Sequence, residues 1–474
     1  MKVLYVASEC VPFAKTGGLG DVAGALPSAL IKEKVDCRVV LPFYSVIPEK
    51  YKSTMHFLGS ITVPVSWRNQ YCGIFTQIID GVQYYFLDNE YYFKREGLYG
   101  YYDDAERFAF FSRAVLEVMS FIDFFPDVLH CNDWHTALCP VYLDAIYADK
   151  EGYRGMKTVF TIHNIEFQGK YGKDILEDVL GLPEYKDSLV DYSYSVNFMK
   201  GAIEASNVVT TVSNTYAQEI LDPYYAYGLA DILRAREYKL RGVVNGIDTS
   251  LYNPRTDKSL FKRYTKSTAN LKAENKKALF EMLGLCLSEK TALVGMVTRL
   301  TEQKGMDLVM AVAEEMLTRD IALVVLGTGD WRFESGLKEL ERKYPNKVRS
   351  LITFSADLAN KIYSASDIFL MPSKFEPCGL SQLIAMRYGS IPVVRETGGL
   401  KDTVIPFDET TMEGTGFTFK SFDAYDMLGA VDRALSLYSD EDKWEKIRIN
   451  AMKVDSTWSK SAKQYKKIYN ELRK

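Results

Sequence analysis

Short apolar runs alternate along the chain with stretches in which apolar residues recur every three or four positions. Val3–Ala7 is a continuous apolar run and Val35–Leu41 is mostly apolar, as in buried strands. Between them, Val22, Leu26 and Leu30 have the spacing of one helix face. Because strands that alternate with helices form parallel sheets covered by helices, this pattern predicts an α/β fold.

The same alternation starts again in the second half of the chain. A charged segment, residues 255–277, separates the halves and predicts a solvated linker. Since 474 residues exceed what one hydrophobic core usually serves, we expect two domains, residues 1–248 and residues 249–456. The strands predicted for the second domain are Thr291–Val297, Ile321–Leu326, Val348–Phe354, Ile368–Met371 and Ile391–Val394.

Three β-rich runs in the first half follow one another without a helical stretch between them. Leu58–Val65, Tyr71–Ile79 and Val82–Leu87 are predicted to form hairpins added to the main sheet. At the other end of the chain, apolar residues within Trp458–Lys474 have helical spacing and predict a C-terminal helix.

One short motif occurs twice. Thr16–Asp21 and Thr397–Asp402 share the residues Thr-Gly-Gly-Leu and end in Asp. Both are predicted to lie where a strand gives way to a helix, which we interpret as a repeat in two related α/β halves.

Composition is that of an ordinary globular protein, with 47% hydrophobic and 25% charged residues. The net charge of −4 gives no indication of attraction to nucleic acid or to anionic membranes. Seven cysteines without paired spacing favour reduced thiols, and Met1–Ala7 enters a strand without room for a leader peptide. A cytoplasmic protein is therefore expected, and any phosphate site must be assembled from a few local cations and backbone amides.

The loop after the Ile368–Met371 run has the features of a phosphate site. Pro372 and Pro377 end the strand, and helical spacing resumes at Leu380. A loop that opens a helix directs backbone N–H groups and the positive end of the helix dipole at its ligand, which suits a phosphate. Glu376 lies on this loop and is predicted to hold an uncharged part of the same ligand. A solvated strand-loop-helix corner is the alternative.

Two further loops carry cations. Arg299 and Lys304 are about one helical turn apart after a predicted strand, so they are predicted to grip a diphosphate together from a helix start. Lys15 shares its loop with Gly17 and Gly18, which let a ligand approach the backbone closely. Ordinary surface charges and a plain tight turn are the respective alternatives.

The stretch Tyr91–Tyr102 is unusually aromatic for a loop. Flat rings backed by Lys94 and Arg95 suit the apolar faces of sugar rings. The alternative is that these tyrosines pack in the core or in a hairpin.

Five motifs follow strand-like runs in a set order: Lys15–Val22, His163-Asn164, Asn245–Asp248, Arg299-x4-Lys304 and Phe375–Gln382. Their order and spacing closely resemble the bacterial glycogen synthase and plant starch synthase family of retaining glycosyltransferases. The resemblance extends from Met1 to about Tyr469. It implies a GT-B fold, in which two facing Rossmann-like domains have parallel sheets flanked by helices. It also implies that residues 457–474 cross back to the first domain, which binds the glucan, while the second binds the nucleotide sugar.

The implied reaction transfers glucose from ADP-glucose to the non-reducing end of an α-1,4-glucan, with retention of configuration and release of ADP. Glycogen or a malto-oligosaccharide is the expected acceptor. The resemblance implies no cofactor and no metal, and neither nucleic acid nor a membrane is an expected partner.

The resemblance also assigns residues. Those expected in catalysis are Lys15, His163, Arg299, Lys304 and Glu376. Those expected to contact the nucleotide sugar are Lys15, Gly17, Gly18, Asp21, Asp133, Asn164, Asn245, Arg299, Lys304, Phe354, Cys378, Gly379, Leu380 and Ser381. Those expected to contact the glucan are Tyr92, Phe93, Arg95 and Tyr99.

Phe354 is the candidate for recognising the base. It ends a predicted strand one strand before the Glu376 loop, so its ring is expected to reach the base, although strand-end packing is the alternative. Family members typically place an aromatic ring against adenine, which implies ADP-glucose rather than UDP-glucose.

The residues leave other functions open. A sugar-nucleotide transferase of the same fold with a small acceptor is the competing enzyme, and a non-catalytic glucan-binding protein is the competing class. A binding protein would be expected to lose one or more of the five catalytic residues, and all five are present. A glycoside hydrolase needs two carboxylates flanking a cleft, and nothing in the sequence marks such a pair.

Overall fold

The computed structural model describes residues 1–473, which pack into two compact units. The first unit consists of residues 1–246 and the C-terminal helix, and the second consists of residues 247–457. Each unit has its own large sheet and its own hydrophobic core. The acceptor and donor roles expected for the two halves stay predictions.

The first unit is built on a nine-stranded sheet and a small three-stranded sheet. Its strands are β1 (Lys2–Val6), β2 (Asp36–Pro42), β3 (His56–Val65), β4 (Arg68–Ile79), β5 (Val82–Asp88), β6 (Val128–Asn132), β7 (Lys157–Ile162), β8 (Lys170–Tyr171), β9 (Asp191–Tyr192), β10 (Ser195–Asn197), β11 (Val208–Thr211) and β12 (Leu240–Gly242).

The large sheet has the order β12-β11-β7-β6-β1-β2-β5-β4-β3. All neighbouring strands are parallel except for the β3–β4 and β4–β5 pairs, which are antiparallel. The predicted hairpins are therefore confirmed as an addition at one edge of a parallel sheet. The three-stranded sheet β8-β10-β9 was not predicted, because strands of two or three residues leave no periodicity to read.

Helices cover this sheet. They are α1 (Gly18–Lys32), α2 (Glu49–Lys52), α3 (Glu90–Phe93), α4 (Asp104–Phe121), α5 (Leu138–Tyr142), α6 (Phe198–Ala205), α7 (Asn214–Glu219) and α8 (Ala230–Ala235). Short 3-10 turns occur at Trp134–Thr136, Glu184–Leu189 and Glu237–Lys239, and π-helical turns at Leu143–Tyr147 and Leu176–Leu180.

The second unit is a six-stranded parallel sheet in the order β15-β14-β13-β16-β17-β18. Its strands are β13 (Ala292–Val297), β14 (Ile321–Leu326), β15 (Val348–Leu351), β16 (Ile368–Met371), β17 (Ile391–Arg395) and β18 (Phe417–Phe419). Its helices are α9 (Lys272–Leu283), α10 (Met306–Met316), α11 (Trp331–Lys343), α12 (Ala356–Ala365), α13 (Ser381–Arg387), α14 (Gly398–Thr403), α15 (Ala424–Tyr438) and α16 (Glu441–Met452), with 3-10 turns at Lys266–Leu271 and Glu302–Lys304.

Polar side chains set where several helices begin. The side chains of Asn197, Ser213, Ser355, Asp423 and Asp440 each accept a backbone N–H from the first turn of the following helix. Because the first N–H groups of a helix have no partner within it, such caps stabilise each start by about 0.5–2 kcal/mol.

In both large sheets the strand order reverses once. The chain begins at an inner strand, moves outwards on one side, and then continues on the other side of the first strand. The reversal falls between β1 and β6 in the first unit and between β13 and β16 in the second. Loops after two such strands diverge, so a crevice forms at their carboxyl ends, which is where open α/β sheets bind ligands.

The two Thr-Gly-Gly motifs begin helices after strands, as predicted, but at positions that are not equivalent. α1 follows β1, the inner first strand, whereas α14 follows β17, the fifth strand of the second unit. The repeat is therefore confirmed as two strand-to-helix junctions, but it does not mark one equivalent position in the two units. By strand order, the counterpart of β1 is β13.

The predicted C-terminal helix is confirmed as α17 (Trp458–Leu472), which packs against α1. The hydroxyl of Tyr469 lies 2.6 Å from Nδ1 of the buried His130, whose Nε2 lies 2.6 Å from Thr161 Oγ1. Lys466 Nζ donates to the carbonyl of Glu33, at the end of α1, at 2.6 Å.

None of the helices described in residues 1–473 combines the length and the apolar character needed to cross a membrane.

The Tyr469–His130 bond predicts a measurable stability loss. Tyr469→Phe leaves His130 Nδ1 buried without a partner, which typically costs about 1–3 kcal/mol. We expect a lower melting temperature in differential scanning calorimetry. Tyr425→Phe is the matched control, because Tyr425 is 66% exposed on α15, and it should melt like the unmodified protein. Equal melting temperatures for the two variants would contradict the assigned role of the bond.

Candidate active site

The loops that follow β13 and β16 lie side by side at the reversal of strand order in the second unit. The backbone N–H of Lys374 donates to the carbonyl of Gln303 at 2.9 Å and ties one loop to the other. Gly305 has a φ of +75°, and a Cβ there would lie 2.1 Å from the carbonyl oxygen of Pro372. Glycine at 305 is therefore what allows the two loops to approach.

Glu376 and Lys304, which were predicted separately, meet across these two loops. Lys304 Nζ donates to Glu376 Oε2 at 2.6 Å, and Ser373 Oγ donates to the same oxygen at 3.0 Å. The Glu376 side chain is 8% exposed and the Lys304 side chain 17% exposed. Because a charge removed from water needs a partner, each side chain compensates the burial of the other.

Arg299 lies on the exposed side of the loop after β13. Its hydrogen bond within the described residues runs from Nη2 to Gln303 Oε1 at 3.4 Å. Lys304 ends a short 3-10 turn, and α10 begins only after Gly305. The prediction that both cations share one helix start is therefore wrong, although both lie on the loop that follows β13.

The side chain of Gln382 stabilises the turn that leads into α13. Gln382 Nε2 donates to the carbonyl oxygens of Cys378, at 3.0 Å, and Gly379, at 2.8 Å. Gly379 has a φ of +70°, and a Cβ there would lie 2.5 Å from Gln382 Oε1. Leu380 is the N-cap position and Ser381 the first residue of α13. The sequence places Gln382 at the end of the Phe375–Gln382 motif but assigns it no role, since one buried glutamine leaves no pattern.

The second Thr-Gly-Gly motif lies behind this turn. A Cβ on Gly398 would lie 1.9 Å from the carbonyl oxygen of Glu376, and one on Gly399 would lie 2.0 Å from that of Cys378. The backbone N–H of Gly399 also donates to the Glu376 carbonyl at 3.0 Å. These glycines therefore serve to bring the start of α14 against the backbone that carries Glu376.

Phe354 is 90% exposed and lies outside the strand that was predicted to end with it. The strand stops at Leu351, and Ser355 caps α12 directly after Phe354. β14 and β13 separate β15 from β16 in the sheet. The strand before Phe354 and the strand before the Glu376 loop follow one another along the chain but are not adjacent in the sheet. The expectation that Phe354 lies one strand from the Glu376 loop is therefore wrong for the folded chain. The exposed ring also excludes the strand-end packing alternative.

In the first unit, Glu9 shapes the Lys15 loop. The buried Glu9 carboxylate accepts the backbone N–H groups of Thr16 and Gly17 and the Thr16 hydroxyl. Glu9 was not among the predicted residues, because a carboxylate that binds backbone seven or eight positions away has no sequence signature.

The remaining contacts of this loop leave space beside its glycines. Lys15 Nζ pairs with the Asp21 carboxylate at 2.7 Å. A Cβ on Gly17 would come no closer than 3.8 Å to Glu9, and one on Gly18 would meet nothing among the described residues within 4 Å. The surroundings of this Gly-Gly pair thus differ from those of the second Thr-Gly-Gly motif, where protein backbone fills the same position.

Asp133 follows β6, beside the Lys15 loop in strand order, with an uncommon φ of 56°. Its Oδ1 accepts the backbone N–H of His163 at 2.7 Å, and the N–H of Asn164 also contacts the carboxylate. Burial raises the pKa of Asp133 to about 7; the two N–H groups oppose this rise, and the charge of Glu9 adds to it. Asn164 in turn accepts the N–H of Glu166 at 3.0 Å.

His163 directly follows β7, as predicted, and is held by Asn132 at the end of β6. Its Nε2 lies 2.9 Å from Asn132 Oδ1. Burial lowers the pKa of His163 to about 3, so the imidazole is neutral at physiological pH. Asn245, shortly after β12, is buried, and its Oδ1 has no hydrogen-bond partner among the described residues.

Two of the four residues assigned to the glucan are in the core. Tyr92 and Phe93 form part of α3 and are wholly buried. The Tyr92 hydroxyl donates to Glu106, and the Phe93 ring packs edge-on against Tyr44 with centroids 5.5 Å apart. The packing alternative therefore describes these two rings, and we leave them out of the acceptor site.

The other two residues lie nearer the surface. The Tyr99 ring stacks on His135 with centroids 4.1 Å apart, and its hydroxyl lies 2.7 Å from Ser8 Oγ. Arg95 pairs with Asp103 at 2.8 Å. Both remain candidates for the acceptor.

The residues predicted for catalysis and for the nucleotide sugar thus form two groups, one at the strand-order reversal of each unit, apart from Phe354 and Asn245 at outlying strands. The residues predicted for the glucan lie on the segment that follows β5. The second unit offers cations, a helix start and a carboxylate. The first offers a cation, an open glycine pair and a neutral imidazole. Within residues 1–473, no three or more His, Cys, Asp or Glu side chains are arranged to hold a metal ion.

Comparison with known proteins agrees with this architecture. The family described as "Starch synthase catalytic domain" matches residues 2–235, and "Glycosyl transferases group 1" matches residues 285–453. The chain is 50% identical to a glycogen synthase from Anoxybacillus flavithermus, over 100% of this chain and 98% of the relative. It is 52% identical to one from Clostridium acetobutylicum, over 99% of each.

A solved structure is similar over the same length. The catalytic domain of starch synthase IV from Arabidopsis thaliana, bound to ADP and acarbose, has 35% identity and a TM-score of 0.92, covering 100% of this chain and 99% of that one. With full-length relatives at about half identity and a matching fold, this chain belongs to the bacterial glycogen synthase and starch synthase family of GT-B glycosyltransferases.

Proposed function

We propose that the chain transfers glucose from ADP-glucose to the non-reducing end of an α-1,4-glucan, with retention of configuration and release of ADP. The observation that carries the proposal is the full-length identity of 50% to a glycogen synthase, with no part of the chain left unmatched. Glycogen or a malto-oligosaccharide is the proposed acceptor. The relative bound to ADP and acarbose supports an adenine nucleotide and a glucan-like ligand.

Lys304 and Arg299 are proposed to neutralise the diphosphate of the donor. A lysine ammonium has three donors, and Lys304 uses one of them on Glu376. It can therefore keep Glu376 in place while it donates to phosphate oxygens. Arg299, exposed on the same loop, adds a second cation as the bond to the leaving group breaks. Backbone N–H groups of Gly379, Leu380 and Ser381 extend the same anion site.

Glu376 is proposed to orient the transferred sugar. Both of its side-chain hydrogen bonds fall on Oε2, which leaves Oε1 to accept a sugar hydroxyl. Because the family that this chain resembles places no carboxylate as a covalent nucleophile, we assign Glu376 binding and orientation only. Cys378 contributes backbone beside it.

Residues of the first unit are proposed to contact the substrates. The space beside Gly17 and Gly18 allows a phosphate or sugar to approach their backbone, with Lys15 supplying charge from the same loop. His163 and Asn245 offer acceptor atoms to ligand hydroxyls. Asp21, Asp133 and Asn164 are proposed to act through this loop and through the backbone of His163. Tyr99 and Arg95 are proposed to contact the glucan.

Activity is tested with labelled ADP-glucose, with and without glycogen. We expect label in glycogen, and Glu376→Gln should lower kcat by about 10²–10³-fold, the range for loss of one preorganised polar group. Glu339→Gln is the matched control, because that side chain is 63% exposed on α11. Label transferred only to a small sugar phosphate would favour the small-acceptor transferase. Binding of glycogen without turnover would indicate a glucan-binding protein.

Donor choice tests the role of Phe354. Adenine offers a larger face than uracil and should stack better on an exposed ring by ~1 kcal/mol, which is about fivefold in kcat/KM. We expect ADP-glucose to be preferred over UDP-glucose and Phe354→Ala to reduce that preference without changing the KM for glycogen. Tyr425→Ala serves as an exposed aromatic control. Equal kcat/KM for both donors in the unmodified protein would overturn this assignment.

The raised pKa of Asp133 predicts how stability depends on pH. Its pKa is about 7 in the folded chain against an ordinary value of 3.8, so the folded state binds the extra proton between these values. The contribution of Asp133 to stability should therefore fall as pH rises from about 4 to about 7, by at most about 1.4 kcal/mol per pH unit. Asp133→Asn should remove this slope in melting curves.

The control for that experiment is Asp80→Asn. Asp80 also has a positive φ, of 50°, but it is exposed in the turn between β4 and β5. It should leave the pH dependence unchanged. If the stability of Asp133→Asn depends on pH as steeply as that of the unmodified protein, another group is responsible for the dependence.

A further inference from the structure

Asn132 lies at the end of β6 and is completely buried. Its Nδ2 donates to the carbonyl oxygen of Val6, on β1, at 2.9 Å. Because a backbone carbonyl oxygen only accepts hydrogen bonds, this contact determines which end of the amide faces Val6. Asn132 Oδ1 must therefore point the other way, where it lies 3.0 Å from the Tyr5 hydroxyl and 2.9 Å from His163 Nε2.

The amide orientation determines the tautomer of His163. An amide oxygen only accepts hydrogen bonds, so Nε2 of His163 must carry the proton that joins them. The ring is neutral at physiological pH, because burial lowers the pKa of His163 to about 3. A neutral imidazole has one proton. Nδ1 is therefore left as a lone-pair acceptor.

Two further contacts accompany this arrangement, but the amide orientation is already determined by the Val6 carbonyl. Burial raises the pKa of Tyr5 well above its ordinary value, so its hydroxyl stays protonated and donates to Oδ1. Thr136 Oγ1 accepts the backbone N–H of Asn132 at 2.6 Å and lies 2.9 Å from its carbonyl. Main chain and side chain of Asn132 are thus both anchored, at the strand-order reversal where β1 and β6 are neighbours.

We propose that Asn132 is a positioning residue that selects the Nε2–H tautomer of His163 and so presents Nδ1 as an acceptor to a substrate hydroxyl. The substrate part of this inference rests on the proposed function. The tautomer itself belongs to the free protein. A histidine protonated on Nδ1 instead would offer a donor at that position, so the wrong tautomer would replace an attractive contact with a mismatched one.

Selective ¹⁵N-histidine labelling tests the tautomer directly, since the chain has only four histidines, His56, His130, His135 and His163. His163→Gln identifies the signal. We expect a protonated Nε2 and an unprotonated Nδ1 for His163 in the ligand-free protein. In Asn132→Leu, which has a similar shape but no acceptor, we expect a mixture of tautomers or the Nδ1–H form.

Tyr5→Phe is the matched control for a loss of packing or stability. It removes a hydrogen bond to the same Asn132 oxygen, at the same depth in the core, and leaves Nε2 its acceptor. We expect Tyr5→Phe to keep both the tautomer and kcat. Asn132→Leu should lower kcat by about 10- to 100-fold, the range for loss of a group that orients a metal-bound histidine.

The outcomes separate the two proposals. An Nδ1–H signal in the unmodified protein, or an unchanged Nε2–H signal in Asn132→Leu, would overturn the role of Asn132 whatever the activity. Equal changes of the tautomer in Tyr5→Phe and Asn132→Leu would also overturn it. If the tautomers are as expected but the unmodified protein transfers no glucose, the proposed function is refuted and the role of Asn132 is not.

Discussion

The reversal of strand order in each sheet is the constraint on which the candidate site depends. Because crossovers between parallel strands are right-handed, helices can cover both faces of a sheet only if the direction of winding reverses at an inner strand. The loops after β1 and β6, and after β13 and β16, are therefore neighbours at the carboxyl ends of their strands, where open α/β sheets bind ligands. Residues far apart in sequence meet there, such as Lys304 and Glu376 in one unit and Glu9 and the Asp133 loop in the other.

The two Thr-Gly-Gly motifs show that identical residues serve different purposes in different surroundings. At Gly398 and Gly399 a side chain would collide with the backbone of the Glu376 loop, so the glycines allow two segments of protein to pack. At Gly18 the same position opens onto space free of protein atoms among the described residues. A packing role and a ligand-approach role are both reasons to require glycine, and only the neighbours distinguish them.

Charge burial is compensated differently in the two units. Lys304 and Glu376 compensate each other through one short ion pair, which leaves each with further hydrogen-bonding capacity. Asp133 has backbone N–H groups as partners instead of a cation, and burial outweighs them, so its pKa rises to about 7. Loss of solvation likewise lowers the pKa of His163 to about 3, so its imidazole is neutral at physiological pH. Charge burial is thus compensated by an ion pair in the second unit and by shifted pKa values in the first.

The amino-acid pattern alone determined the fold class, most strands, the edge hairpins, the C-terminal helix and the motifs that name the family, because these depend on local periodicity and short spacing. It could not place Phe354 relative to Glu376, since strand order is set by the packing of whole helices on the sheet. It could not tell that Tyr92 is buried, because an aromatic ring suits a core and a sugar equally well. Glu9 and Asn132 act through contacts with residues on other strands and loops, so only the tertiary structure decided their roles.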